Sequence, residues 1–295
     1  MNLQVYDENF IMSPKIDFAF KEIMANPKAL KGFLSAVLNI SPESIKNTTL
    51  KNTNLRKTHE HEKQGILDVR LVMNNDKEID IEIQLSYMVA WADRSVFYVA
   101  KMMTEQAEIN KKYSNFKKCI GINILDFNYI SQTEHFHTVW HIREDSENIK
   151  YTDILEWHVV ELPKIPSITD GTDLYKWVQF IKAEKKEEFE MIAQGNEYLE
   201  SALDTLNVIS QDEQKRLEYT ARQKALYDYN TLMEENYERG LALGLAQGRT
   251  EGKAEGKAEG KAEGKAEGKA EKEFELIKKW KAKGMTDEQI KELLN

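Results

Sequence analysis

Residues 77–86 read KEIDIEIQLS, and their alternation decides the fold. Ile79, Ile81, Ile83 and Leu85 share one parity; Glu78, Asp80, Glu82, Gln84 and Ser86 share the other. Side chains on a strand point to opposite faces with period two, so the pattern predicts a half-buried β-strand. The preceding stretch ILDVRLVM (66–73) has the same character, and Asn74, Asn75 and Asp76 between the two tolerate turn conformations. A hairpin centred on Asn75 sets Asp68 opposite Glu82 and puts Leu67, Val69, Leu71 and Met73 on the face of the isoleucines.

Directly opposed residues in an antiparallel pair hold their Cβ atoms roughly 4.5–5.5 Å apart. Two carboxylates at that spacing repel, and a divalent cation between them turns the repulsion into a site. Magnesium favours one or two carboxylates, waters and phosphate oxygens. The alternative is an amphipathic hairpin whose polar face is wet, with Arg70 offsetting the acids. The residues of the hairpin alone leave both readings open.

The chain has 295 residues and a net charge of −9, enough length for a sizeable core and too acidic for a surface that binds nucleic acid all over. Residues 1–128 hold 17 Lys and Arg against 16 Asp and Glu, while the remainder holds 24 against 34. Contact with a phosphate backbone is therefore expected from the first part, where NLRKTHEHEK and KKYSNFKK supply basic clusters. No run approaches the apolar length of a membrane-spanning helix, and MNLQVYDENF lacks a signal peptide's basic flank and apolar core. The single cysteine, Cys119, lies in an apolar run and reads as a buried small hydrophobe in a reducing, cytoplasmic protein.

Around the hairpin, IDFAFKEIMA and PKALKGFLSAVLN read as helices, the second opened by Pro27. TTLKNTNL is expected as a first strand and residues 89–113 as a helix of about six turns. KKCIGINILDF, EHFHTVWHI and LEWHVVEL are expected as further strands, and Leu174 to Arg239 as helix. Glycine then recurs every fourth residue from Gly240 to Gly268, with an EGKA unit from Glu251. Each glycine costs about 1 kcal/mol of helix stability relative to alanine. Glu and Lys are never three or four apart within the repeat, so helical spacing offers no favourable charge pair. The segment reads as a solvated marginal helix or a flexible spacer. After it, Gly284 stops one helix and Thr286 with Gln289 forms a capping box for the next.

A helix pair, a strand, an Asp-bearing strand, a strand with Glu-x-Gln, a long helix and another strand make an αβββαβ core. That order, with DFAFKEIM, GILDVRLV, IDIEIQLS, ADRSVFYVAKM, LEWHVVELPK and the Gly-rich tail, resembles the PD-(D/E)XK nuclease family transposases, also called recombination-promoting nucleases (Rpn). The resemblance implies a restriction-endonuclease-like α/β domain over 1–165. A helical extension over 166–239, a spacer over 240–272 and a C-terminal helical hairpin over 273–295 follow.

The resemblance further implies a DNA endonuclease dependent on Mg²⁺ or Mn²⁺. Asp68 and Glu82 are its expected metal ligands, with the Ile83 carbonyl completing the shell. The wider superfamily ends this strand Glu-x-Lys, whereas Glu-x-Gln is common in this branch. Gln84 therefore orients water without supplying charge, leaving the cationic role to Lys21 or Arg94. Asp17 and Lys21 match the family's first-helix pair, although a simple i,i+4 ion pair explains them equally well. Arg94 and Tyr98 match its long-helix pair and are expected to face phosphate. The rival implication is a weak or inactive nuclease-fold module that binds nucleic acid or protein.

His59 with His61, and His135 with His137, each put two imidazoles on one strand face. Neither pair has a third ligand at a recognisable zinc spacing, so surface or edge histidines are expected. Phe274, Ile277, Trp280, Ile290 and Leu293 form an apolar set too small to stand alone. Docking of these C-terminal helices on the body, a second copy of the chain or another partner is expected from them.

Overall fold

The computed structural model describes residues 10–55, 66–107 and 112–294, apart from the side chains of residues 288, 289 and 292. The basic cluster and the histidines at 56–63, Lys111, and the Gln289 half of the capping box lie outside the described residues.

Over Val69–Met73 the hairpin forms in the register its pattern predicts, but Leu67, before the strand, does not join the isoleucine face and packs with Tyr98, Val99 and Met102. Strand β2 (Val69–Met73) pairs antiparallel with β3 (Lys77–Gln84), setting Val69 against Ile81 and Leu71 against Ile79. Asn74 and Asn75 take positive φ, 52° and 62°, which asparagine tolerates better than most residues. The Asn74 side chain anchors the turn, accepting from the Lys46 N–H at 2.8 Å and donating to the Ser44 carbonyl at 2.8 Å.

These strands belong to a six-stranded mixed sheet with the order β1-β2-β3-β4-β6-β5. Strand β1 (Thr48–Leu50) pairs antiparallel with β2; β3, β4 (Lys118–Leu125) and β6 (Leu155–Glu161) run parallel; β5 (His137–His141) closes the far edge antiparallel. β1 is shorter than the expected strand, continuing only as an isolated bridge from Asn54 to Ile66.

The apolar face of the sheet packs on helices. Ile79, Ile81 and Ile83 join Ile120, Ile122 and Ile124 in one core with α1 (Asp17–Ala25) and α2 (Pro27–Leu38). Asn26 ends α1 and caps α2, accepting from the Lys28 and Ala29 N–H groups at 3.0 and 3.3 Å. The same core takes in α4 (Asp173–Lys182), α5 (Lys186–Ala193) and α6 (Glu197–Gln211) through Trp177, Phe180, Phe189 and Leu206.

The polar face of β3 corrects one expectation. Six consecutive residues, Glu78 to Ile83, are buried, so the strand is interior on both faces rather than half-buried. The cause is α3 (Trp91–Thr104), which lies over the acidic face. Gly121 on β4 permits the close approach: a Cβ there would meet Val99 Cγ2 at 2.8 Å. Ser95 fixes the helix further by donating to Asn123 Oδ1 at 3.1 Å.

α3 is also shorter than expected. Its chain leaves the helix where Gln106 accepts the Lys117 N–H at 2.7 Å and donates to the Lys117 carbonyl at 3.1 Å, which draws it toward β4. Cys119 is buried beneath it as expected, its thiol pushed up to about 12 by burial.

The chain divides into two bodies, 1–227 and 228–295. Helix α7 (Glu213–Ala282) begins in the first, where Tyr219 and Leu226 join the core. In the second body the EGKA segment is helical and almost wholly exposed, with nothing within 4 Å of the Cβ position of Gly240 through Gly268. Gly284, with φ of 84°, separates it from α8 (Asp287–Leu294). Of the apolar set there, Ile290 is buried while Phe274 and Leu293 are exposed. Among the described residues, no helix is long and apolar enough to cross a membrane.

Candidate active site

Antiparallel pairing of β2 with β3 sets Val69 against Ile81, and one residue further along the hairpin Asp68 meets Glu82. Asp68 stands one residue before β2, and its N–H donates to Glu82 Oε1 at 2.8 Å. The Ile83 N–H donates to Asp68 Oδ2 at 3.2 Å. Each carboxylate thus accepts a backbone N–H from the other's segment, a reciprocal clasp that fixes both side chains on one face. Ile83 itself sends its side chain into the core on the opposite face.

Two cations close on this pair from different helices. Lys21 on α1 places Nζ 2.9 Å from Asp68 Oδ1 and 3.7 Å from Asp17 Oδ2. It therefore makes both the i,i+4 ion pair and a contact with the acids. Asp17 also lies 3.7 Å from Arg222 of α7. Arg94 on α3 places Nη2 3.5 Å from Glu82 Oε2, donates from Nε to Tyr98 Oη at 2.8 Å, and lies over the Tyr98 ring. Tyr98 is buried and orients the guanidinium. Gln84 does not join them: its amide donates to the Ser86 carbonyl at 3.1 Å, at its own strand's exit.

The acids are electrostatically overloaded. Burial, then the charge of Asp68, pushes Glu82 up to about 8, against the lowering effects of the Asp68 N–H, Arg94 and Lys21. Asp80, two residues earlier on the same face, is raised well above the ordinary range by burial, then by Glu82 and Asp68. Its Oδ1 is buried with no hydrogen-bond partner. Arg70 does not offset it by a hydrogen bond, because its Nε donates to Glu78 at 2.7 Å and its Nη2 to Glu105 at 2.8 Å. Asp80 was not among the expected site residues, although its parity, shared with Glu82, places it on the same strand face. Carboxylates held together with an unsatisfied oxygen fit a divalent cation, whose charge would relieve both the repulsion and the raised pKa values.

Of the two histidine pairs, the one at His135 and His137 lies within the described residues. β5 starts at His137, so His135 is outside the strand and exposed, and the two do not share a strand face. His137 instead meets His158, with Nε2 3.0 Å from Nδ1.

A mixed sheet covered by helices on both faces, with paired acids at the end of a central hairpin and basic residues converging from two helices, defines a nuclease-like α/β protein. A family model described as PD-(D/E)XK nuclease family transposase matches residues 14–236, and the chain belongs to that family. No curated protein and no solved structure matches the chain.

Proposed function

We propose that the protein is a DNA endonuclease dependent on Mg²⁺ or Mn²⁺, hydrolysing phosphodiester bonds at Asp68 and Glu82. The observation that carries this reading is the reciprocal clasp of the two carboxylates between Lys21 and Arg94. Asp68, Glu82 and the Ile83 carbonyl would hold the ion. When bound, it supplies a Lewis acid for the phosphodiester and acidifies water.

The other residues act on charge and position. Lys21 takes the cationic part that a lysine plays at the strand position of Gln84 in the wider superfamily, approaching from α1 instead of β3. Asp17 holds Lys21 in place from one turn away. Arg94, oriented by Tyr98, neutralises Glu82 and meets an incoming phosphate oxygen. Gln84 can release Ser86 and orient a water through its amide.

A cytoplasmic location and assembly through the C-terminal helices complete the proposal. A second reading, a weak or inactive nuclease-fold binding module, is favoured by the turn of Gln84 toward Ser86. Plasmid cleavage with and without Mg²⁺ separates the two. Cleavage by the wild type that Asp68→Ala abolishes supports the enzyme; DNA binding without cleavage in either protein supports the module.

A further inference from the structure

On the sheet face opposite the acid pair, β5 and β6 assemble a second polar cluster that the nuclease chemistry does not use. His141 and Glu156 are cross-strand partners, with His141 Nε2 2.7 Å from Glu156 Oε2. Asp153, from the turn before β6, brings Oδ1 to 3.8 Å of the same nitrogen. The three ligand atoms all lie within 4.8 Å of one another, beside a cleft of about 710 Å³.

We propose that His141, Asp153 and Glu156 form a zinc-binding site separate from the candidate active site. Three N and O donors with an outer position facing a cleft are the ligand type and number of an open zinc site. Zinc–ligand bonds near 2.1 Å in tetrahedral geometry space donor atoms about 3.4 Å apart. The observed 2.7 and 3.8 Å from His141 straddle that value, and the two carboxylate donors lie within 4.8 Å of each other.

Support behind the ligands is already built. His158, buried, has Nε2 2.8 Å from Glu156 Oε1, leaving Oε2 for His141. His137 in turn stacks on His158, the ring planes 15° apart, and bonds its Nδ1. A histidine that bonds the second oxygen of a ligating carboxylate fixes its orientation.

Lys118 marks where positive charge is accepted. Its Nζ lies 2.7 Å from Glu156 Oε2 and 2.9 Å from Asp153 Oδ2. Lys150 also pairs with Asp153 Oδ1 at 2.7 Å. A bound zinc would displace the Lys118 ammonium, so this lysine is a competitor of the ion and not a ligand.

The competition gives a test that a purely structural ion-pair network fails. Zn²⁺ is titrated into the untagged full chain against a chromophoric chelator, with Asp68→Asn run in parallel. The expected result is one zinc that Asp68→Asn retains and that both Asp153→Asn and His141→Gln lose. Asp153 is 60% exposed, so its variant keeps the fold even if His141→Gln does not. His158→Gln is expected to weaken zinc about 10- to 100-fold, and Lys118→Met to tighten it. Zinc binding that is absent, or indifferent to Asp153→Asn, or not strengthened by Lys118→Met, would overturn the proposal.

Discussion

Lys21 Nζ lies 2.9 Å from Asp68 Oδ1, while Gln84 on the adjoining strand turns its amide to Ser86. The cation at the candidate site thus comes from the first helix and not from the strand that carries Glu82. The first prediction follows from this placement. Lys21→Met should lower the cleavage rate about 100-fold or more, the scale of losing one electrostatic stabiliser of developing charge. Its effect on stability should be small, because the pair is partly exposed. Gln84→Lys should restore part of the lost rate in the Lys21→Met background. A double variant no faster than Lys21→Met alone would show that the two positions do not share a role.

Glu82 gives a pH signature. Its carboxyl is raised from 4.5 to about 8 in the folded, metal-free protein, chiefly by burial. The folded state then binds more protons than the unfolded chain between those values, so metal-free stability should fall as pH rises from about 4.5 through about 8. Asp80 is raised in the same direction and adds to the slope. Thermal melts across that range should show the decline, and Glu82→Gln should flatten it. Because the ion needs the ionised carboxylate, added Mg²⁺ should stabilise most at the alkaline end.

The seat of α3 depends on a missing side chain. Gly121→Ala would place a Cβ 2.8 Å from Val99 Cγ2 and 3.1 Å from Trp157 Cδ1. Overpacking of this kind costs about 1–3 kcal/mol. Urea denaturation should register that loss, and cleavage should fall further than stability explains, because Arg94 and Tyr98 ride on the displaced helix. A neutral Gly121→Ala would contradict the close packing.

Deleting residues 250–270 should leave the first body's melting temperature and intrinsic cleavage nearly unchanged. The segment is helical but exposed, and none of its glycines has a neighbour in reach of a Cβ. Its length should affect assembly more than chemistry. A large fall in melting temperature on calorimetry would identify the repeat as packed structure.

Much of this arrangement was legible locally. The parity of 77–86 and the turn at Asn75 give the register of Val69–Met73 against β3, and Asp68 meets Glu82 one residue beyond that pairing. What the pattern could not convey was tertiary cover. A polar strand face looks solvated until a helix is known to lie over it, and only Gly121 on another strand hints at that. Lys21 and Arg94 were visible as residues, but their meeting at the acids depends on how two helices pack on opposite sides of the hairpin's end. The cluster of His141, Glu156 and His158 was hidden for a similar reason. Its members meet by cross-strand register between β5 and β6, which the spacing of histidines along a single strand does not reveal.

The most direct measurement is cleavage of supercoiled plasmid by purified wild type and Asp68→Ala, each with Mg²⁺ and with EDTA. The account predicts nicked or linear product only from the wild type with Mg²⁺, the two proteins having matched circular dichroism. Equal cleavage by Asp68→Ala, or cleavage by the wild type that persists in EDTA, would contradict it.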